Sequence, residues 1–484
     1  MIFDSNYYLD LFGVKLSDLE TLIAKGLSEG GDWADLYFEN TTCADLLLRD
    51  GEVGSGGFNL DYGVGIRVLK GEKTGYAYSE STDMRSMTEA AAAAATIALA
   101  DSAAIKVASS DDRPSTAPVK GRPNPKADRY PWEQDWRSAA TASLVPWLEK
   151  IHTLVMGKDP RITKVIAMVS YQVSDIMMYN SLGELRFETR PLGSVNISAI
   201  FTKDGKTENQ TVSRSFRCGA EMLTDSLAEE LAAKAVQGID ERFAAVRPKG
   251  GKMSVVMGAG ASGILLHEAM GHAFEADFNR KGQSIFSGRI GERICPKGIT
   301  IVDDGTIRGN RGAINFDDEG VPGQRTTLVE DGILTSYMHD RISARFFGVK
   351  PTGNGRRESF RYNPIPRMRA TYMEGGNANP QDIIASVKKG VFVDQFANGQ
   401  VKIGEGDFTF YVKSGFLIEN GRLTAPVKDI NIIGNGPEAL ADILAVGNDP
   451  LIDDGTWTCG KEQSVPVSCG IPTVLIKQLT VGGE

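Results

Sequence analysis

The chain is short of the residues that would assign it to several common classes. Its five cysteines, Cys43, Cys218, Cys295, Cys459 and Cys469, form an odd and scattered set in 484 residues. That pattern excludes the dense, even framework of a small secreted scaffold and points to a reducing compartment. No uninterrupted apolar run reaches the ~18 residues of a membrane-spanning helix. The Ala-rich stretch 90–100 is short, lies between Glu89 and Asp101, and reads as a packed helix. Asp4 and Asp10 stand where a signal peptide carries basic residues, so a cytoplasmic protein with no membrane attachment is expected. Basic residues are outnumbered, 53 against 62 acidic, and the formal charge of -9 argues against nucleic acid as a direct partner. Histidine is scarce too, with four in the whole chain, so any two close together carry weight.

What is present supports a folded protein of several units. Apolar residues make up 41% of the chain and charged residues 24%, a balance that can bury a large interior. At ~150 residues per domain the length suggests about three units. Residues 1–108 mix helical patterning with alternating segments such as 34–39 and 63–69, and read as an N-terminal α+β domain. Residues 109–132 carry Pro114, Pro118, Pro123, Pro125 and Pro131 with little apolar content, and read as a linker. Residues 133–247 read as a middle α+β domain. Its expected elements are a helix over 133–156, alternating segments at 162–171, 185–188, 195–201 and 207–216, and a second helix over 221–246, with Lys203-Asp204-Gly205-Lys206 as a hairpin turn. Residues 248–484 form a Gly-rich, mainly β domain with short strands at 299–303, 391–396, 408–411 and 473–476 and one prominent helix near its start. The expected class is therefore α+β, two α+β units followed by a β-rich C-terminal domain. No solenoid period is present.

Two motifs meet at the start of the third unit. Gly258-Ala259-Gly260-Ala261-Ser262-Gly263 follows the apolar stretch 253–257 and matches GxGxxG. A dinucleotide turn also needs a second strand ending in an acidic residue ~20 positions on, whereas Asn279-Arg280-Lys281-Gly282 is polar and loop-like. The glycines read better as a turn that lets a helix pack closely. That helix carries His267-Glu268-Ala269-Met270-Gly271-His272, two of the four histidines with a glutamate beside the first. In an HExxH zinc helix the histidines stand about 40° apart around the axis. Here the spacing is one residue longer and the angle about 140°, so joint ligation requires the helix to unwind or end between them. Gly271 is the residue type that permits such a break. A pair of hydrogen-bonded core histidines is an equal alternative on spacing alone. A metal needs a third ligand, and the soft candidates are the five cysteines, His152 and His339.

The stretch His267-Glu268-Ala269-Met270-Gly271-His272-Ala273-Phe274-Glu275-Ala276-Asp277-Phe278-Asn279-Arg280 resembles the HExxxH signature of TldD-type members of the TldD/PmbA family. Similarity extends through Asp303-Asp304-Gly305, Asp317-Asp318-Glu319-Gly320, Pro322-Gly323-Gln324, Thr352-Gly353-Asn354-Gly355-Arg356-Arg357-Glu358-Ser359, Val446-Gly447-Asn448-Asp449, Thr458-Cys459-Gly460-Lys461 and Leu479-Thr480-Val481-Gly482-Gly483. It covers nearly the whole chain, least specifically in the middle unit. The resemblance implies a cytoplasmic zinc metallopeptidase that hydrolyses unfolded or extended polypeptide in peptide maturation or degradation, with a historical label as a modulator of DNA gyrase. It implies one Zn2+ per chain on His267, His272 and Cys459, with Glu268 as the catalytic residue. It also implies a dimer, either of this chain or with a PmbA/TldE-like subunit that lacks the motif.

With three protein ligands, a fourth metal position is open to water, the arrangement of a catalytic site. Glu268 would take that water's proton and return it to the leaving amine. Two histidines and a cysteine can also bind iron or cobalt. Glu275 or Asp277 could orient a ligand imidazole, or could sit at a solvated helix end. An exposed strand edge in the third unit could take up the substrate as an added strand. Arg356 and Arg357 read as a carboxylate anchor or as a surface salt-bridge cluster. Two other function classes remain: a non-catalytic peptide-binding subunit with a structural metal, and a nicotinamide oxidoreductase resting on GxGxxG alone.

Overall fold

In the computed structural model, which describes residues 4–99, 128–130, 132–139 and 141–482, one antiparallel sheet runs through the first half of the chain. Its strands are β1 (Trp33–Arg49), β2 (Glu52–Lys70), β3 (Lys73–Ser79), β4 (Ile162–Asn180), β5 (Leu185–Lys203) and β6 (Lys206–Phe216), in the order β3-β2-β1-β4-β5-β6. The units read at 1–108 and 133–247 thus share a sheet, joined where β1 pairs with β4 along almost its whole length. Most of the Pro-rich segment at 109–132 lies outside the described residues.

Alternation along β1 sorts the faces. Leu36 and Phe38 join α1 (Ser5–Phe12), α2 (Leu16–Leu27) and α3 (Met84–Leu99) in one apolar cluster, with Phe12, Leu22 and Ala94. Leu46 and Leu48 join a second cluster with Leu148 and Ile151 of α4 (Thr141–Met156) and Leu231 of α5 (Asp225–Lys234). Each large side chain so buried contributes about 1.5–3 kcal/mol. The helix expected over 221–246 is broken: α5 ends at Lys234, and α6 (Ile239–Ala244) restarts behind Gly238, whose φ of 74° ends helical continuity. The segments expected at 185–188 and 195–201 are one strand running through Pro191. Proline is tolerated there because β6 pairs with β5 only from Gly193 onward, leaving Pro191 on an edge. Asp204 and Gly205, both with positive φ, make the two-residue hairpin turn that joins β5 to β6.

The other face of the sheet is polar and meets the C-terminal unit. Arg67, fully buried, bonds Asp35 and Glu319 at 2.6 Å each. Glu39 accepts the Phe360 backbone N–H at 2.7 Å, and the Arg357 guanidinium lies 4.2 Å from the centre of the Tyr37 ring. Beside these polar contacts Tyr37, Ile176 and Met178 of the sheet pack with Phe316 and Phe360 of the C-terminal unit in a small apolar cluster.

The C-terminal unit is β-rich, and the whole is α+β. Strands Lys389–Val401, Gly251–Met257, Val474–Gly482, Ile430–Asn435 and Asp407–Glu419 neighbour one another in that order, and the last pairs back to the first, closing the sheet on itself. A second sheet runs Ile333–Leu334, Arg325–Glu330, Ile301–Asp304, Ala370–Met373, Ser468–Ile471 and Leu451–Ile452. The segment bearing the two histidines packs in the core these sheets share, through Leu265, Met270 and Phe274. Among the described residues no helix is long and apolar enough to cross a membrane.

Candidate metal centre

The glycine motif positions the histidine segment by close packing. Gly260 turns the chain with a φ of 90°, and a Cβ on Gly263 would fall 2.6 Å from the backbone nitrogen of Gly470, so the segment lies directly against strand Ser468–Ile471. No second βαβ strand follows. The chain continues through α-helical Ile264–Leu266, a π-helical turn over His267–Gly271, a 3-10 turn over His272–Phe274 and the short helix Ala276–Arg280.

That π turn answers the five-residue spacing. The His272 N–H donates to the His267 carbonyl, an i→i+5 bond that adds a residue to the turn and brings the two side chains round to one side. The imidazole centres are 5.3 Å apart. The helix therefore widens rather than unwinding or ending. Gly271 has helical φ and ψ of −56° and −48°, so its value is space: a Cβ there would meet Met368 Sδ at 2.2 Å.

The third candidate ligand arrives from 187 positions away in sequence. Cys459 sits on strand Thr458–Lys461, which forms a two-stranded ribbon with Gln463–Pro466. Potential ligand atoms of His267, His272 and Cys459 all lie within 4.8 Å of one another, and Cys459 Sγ is 3.3 Å from His272 Nε2. All three side chains are buried. Burial alone would push the Cys459 thiol up, but His267 and His272 beside it hold it down at about 4, in the thiolate form a metal requires. Burial lowers His272, and Glu275 with the thiolate lifts it to about 10; that proton is the one a metal ion would displace. His267 Nδ1 is buried without a hydrogen-bond partner. A thiolate, two imidazoles and an orphaned ring nitrogen fit a zinc-type donor set.

Glu268 differs from the three. Its side chain is 24% exposed against 5% for His272, with Oε2 3.9 Å from His272 Nε2, so water reaches the carboxylate while the ligand atoms stay enclosed. Glu275 is fully buried and links the two arms of the site. Its Oε2 takes a hydrogen bond from His272 Nδ1 at 2.9 Å and one from Lys461 Nζ at 3.0 Å. Burial would raise its carboxyl, but Lys461, His272 and Arg367 bring it down to about 2. Asp277 takes the second bond from Lys461, at 2.8 Å, and burial raises its carboxyl.

Sequence reasoning missed Lys461 and Arg367. Lys461 stands two positions after Cys459 on a strand, hence on the same face, and that period-two relation was available in the sequence. Arg367 gave no such signal; it donates to the backbone carbonyls of Cys459, Lys461 and Gln463. The other soft candidates lie elsewhere. His339 packs against Tyr337 and Phe347, and burial holds it down at about 4. Burial pushes Cys43, Cys218 and Cys295 up to about 11, 12 and 12, leaving protonated thiols. Cys469 is fully buried, with its thiol raised as well. Arg356 and Arg357 are no surface cluster: both are buried, Arg356 on the carbonyls of Met368 and Pro466, and Arg357 on Asp35 and Tyr37.

Three family models match the chain: the PmbA/TldA metallopeptidase domain 1 over residues 34–98, the central domain over 135–239 and the C-terminal domain over 250–483. A Haemophilus influenzae protein named as a metalloprotease TldD homolog is 40% identical over 458 residues, covering 93% of each chain. A Saccharolobus solfataricus protein named as a zinc metalloprotease TldD homolog is 34% identical over 49% of this chain and 53% of its own. A Thermotoga maritima structure, described as a candidate modulator of a DNA gyrase, shares the fold with a TM-score of 0.74 at 22% identity, over 96% of this chain and 99% of that one.

Proposed function

The chain belongs to the PmbA/TldD metallopeptidase family, and from that premise we propose that it is a zinc-dependent peptidase acting on unfolded or extended polypeptide, with Glu268 as general base. The observation that carries the reading is the π turn, which sets His267 and His272 on one side, facing Cys459, with a water-accessible carboxylate between them in sequence. Held by His267, His272 and Cys459, zinc would supply Lewis acidity and an open fourth position; the same donors admit iron or cobalt.

The residues of the chain divide the remaining work. Glu268 takes a proton from the attacking water on its carboxylate oxygen and gives it to the leaving nitrogen. Glu275 fixes the ring orientation of His272 through Nδ1. Arg367 and Lys461 hold the ribbon that presents Cys459. Strand Thr458–Lys461 is paired only along its edge with Gln463–Pro466, and its exposed residues Thr458 and Gly460 flank Cys459. An extended peptide added to the open edge would gain backbone hydrogen bonds without side-chain selectivity. A dimer, of two such chains or with a PmbA/TldE-like subunit, belongs to the same proposal, as does a cytoplasmic setting.

The test is digestion of an unstructured peptide mixture by zinc-loaded protein, read by mass spectrometry beside Glu268→Gln. Cleavage by the wild type and none by a variant that keeps its zinc is the expected result. Cleavage that survives in Glu268→Gln removes the glutamate from the reaction. A zinc-loaded wild type that cuts nothing, alone or with a PmbA/TldE-like chain, leaves a peptide-binding protein with a structural metal.

A further inference from the structure

The polar face of the first sheet is not covered throughout. Beyond the buried ion pairs at its Asp35 end, a cleft of about 470 Å³ opens over β1, β2, β4 and β5, within the size range of ligand sites. Polar and apolar groups share its lining, and the hydrogen-bonding side chains on this face of the sheet are Asn59, Ser170, Gln172 and Ser194. From the C-terminal unit comes Arg311, 7% exposed.

Arg311 is the buried arginine that lines the cleft, and like Arg356 and Arg217 it has no ion pair among the described residues. Arg67 and Arg190 each face carboxylates. Arg311 donates only to neutral oxygens: the Trp457 carbonyl at 2.8 Å, Thr458 Oγ1 at 3.3 Å, and the hydroxyls of Ser215 at 2.5 Å and Ser194 at 3.4 Å. Among the described residues no carboxylate lies within ion-pair distance of it. The charge nearest in effect is another cation, Arg217, which donates to the Arg311 carbonyl and likewise has no ion pair. Burial, then Arg217, brings the Arg311 guanidinium down to about 10, the mark of a cation short of negative charge. Asp45 also lines the cleft but makes no ion pair with Arg311, so the cleft has an acidic end and a basic end.

Trp457 and Thr458, which Arg311 touches, are the two residues before Cys459. We propose that this cleft is a subsite for a carboxylate of the bound peptide, anchored on Arg311, so that the enzyme selects peptides carrying a carboxylate a short distance from the bond it cuts. The inference rests on the peptidase reading. A free C-terminus and an acidic side chain offer the same group, and both complete the charge-assisted pairing that Arg311 lacks.

The experiment uses the full zinc-loaded chain with Glu268→Gln, so that bound peptide stays intact. Calorimetry measures three unstructured octapeptides: one with a free C-terminus, the same sequence amidated, and the amidated sequence with one internal glutamate. The free acid or the glutamate peptide is expected to bind about tenfold tighter than the plain amide. Which of the two does so identifies the source of the carboxylate. With Arg311→Gln added, the ratio between the carboxylate peptides and the amide is expected to fall to one, whatever the loss of the Trp457 and Thr458 bonds does to all three; Arg311→Lys keeps part of the preference. A role limited to holding the Trp457 carbonyl would weaken all three peptides alike and leave their ratio unchanged. Equal binding of the three by the parent overturns the subsite whether or not the Arg311 variants fold. Equal binding with wild-type cleavage intact leaves the peptidase reading standing, whereas no binding and no cleavage overturns both.

Discussion

Three glycines around the site permit one graded experiment, because each lacks a Cβ for a different reason. At Gly460, beside Cys459, a Cβ meets nothing within 4 Å. At Gly271 it meets Met368 Sδ at 2.2 Å and Cε at 3.1 Å, atoms of a fully buried but flexible thioether. At Gly263 it meets the nitrogen, Cα and carbonyl carbon of Gly470 at 2.6–2.8 Å. That backbone belongs to strand Ser468–Ile471, held on both sides by Ala370–Met373 and Leu451–Ile452, and it has nowhere to go. All three glycines lie outside the left-handed region, so alanine carries no backbone strain at any of them. Overpacking costs about 1–3 kcal/mol, and alanine returns up to about 1 kcal/mol of helix propensity at 271 and 263. Gly460→Ala should therefore stay within about 0.5 kcal/mol of wild type. Gly271→Ala should lose about 1 kcal/mol, and Gly263→Ala about 2 kcal/mol or more. Urea unfolding measures the order, and zinc stoichiometry measures whether the histidine segment has moved. In a Met368→Ala background Gly271→Ala should turn neutral or mildly stabilising. A Gly271→Ala loss that persists there would mean that Gly271 acts through backbone freedom, and the argument from space would be wrong.

Two further outcomes follow from the buried carboxylates. Glu275→Gln keeps the shape that links His272 to Lys461 but removes the charge, and zinc affinity by chelator competition should fall about 10–100-fold; an unchanged affinity would show that the imidazole needs no such partner. Burial pushes the Glu39 carboxyl up to about 7, despite bonds from the Thr41 hydroxyl and the Phe360 N–H. The folded chain thus keeps a proton that the unfolded chain releases from its ordinary value of 4.5, so this group's contribution to stability is lost as pH rises from about 4.5 through about 7. The slope is at most about 1.4 kcal/mol per pH unit. Urea midpoints from pH 5 to 8 should fall more steeply for wild type than for Glu39→Gln, and parallel curves would refute the assignment.

Local signals in the sequence carry much of the fold and of the candidate site. Asp204-Gly205 marked its hairpin because positive φ at two successive positions leaves few residue choices. The break at Gly238 was invisible because apolar periodicity continues through it into Ile239. The shared sheet escaped notice for another reason: the pairing of β1 with β4 joins residues more than a hundred positions apart, and alternation identifies a strand without naming its partner. At the site, the histidine spacing posed the right question, but the answer, a π turn, depends on tertiary packing around Gly271 and Met368. Arg356 and Arg357 looked like surface charges because charge itself is the only local cue, and their burial is a property of the interface.

The ribbon that carries Cys459 shows how a candidate ligand so distant in sequence from the histidines is held in place largely through backbone carbonyls. Arg367 addresses backbone carbonyls at Cys459, Lys461 and Gln463, Arg311 addresses the one at Trp457, and Arg356 addresses the one at Pro466. Guanidinium groups are suited to this because their donors form a fixed planar fork. The link to the histidine segment then runs through Lys461 to Glu275 and Asp277, side chains largely closed to solvent. Removing any one of these cations would leave buried acceptors or carboxylates uncompensated, so each constrains the position of Cys459 more than it adds to net stability. Through this network Cys459 is tied to the same carboxylate that orients His272, and its Sγ lies 3.3 Å from His272 Nε2.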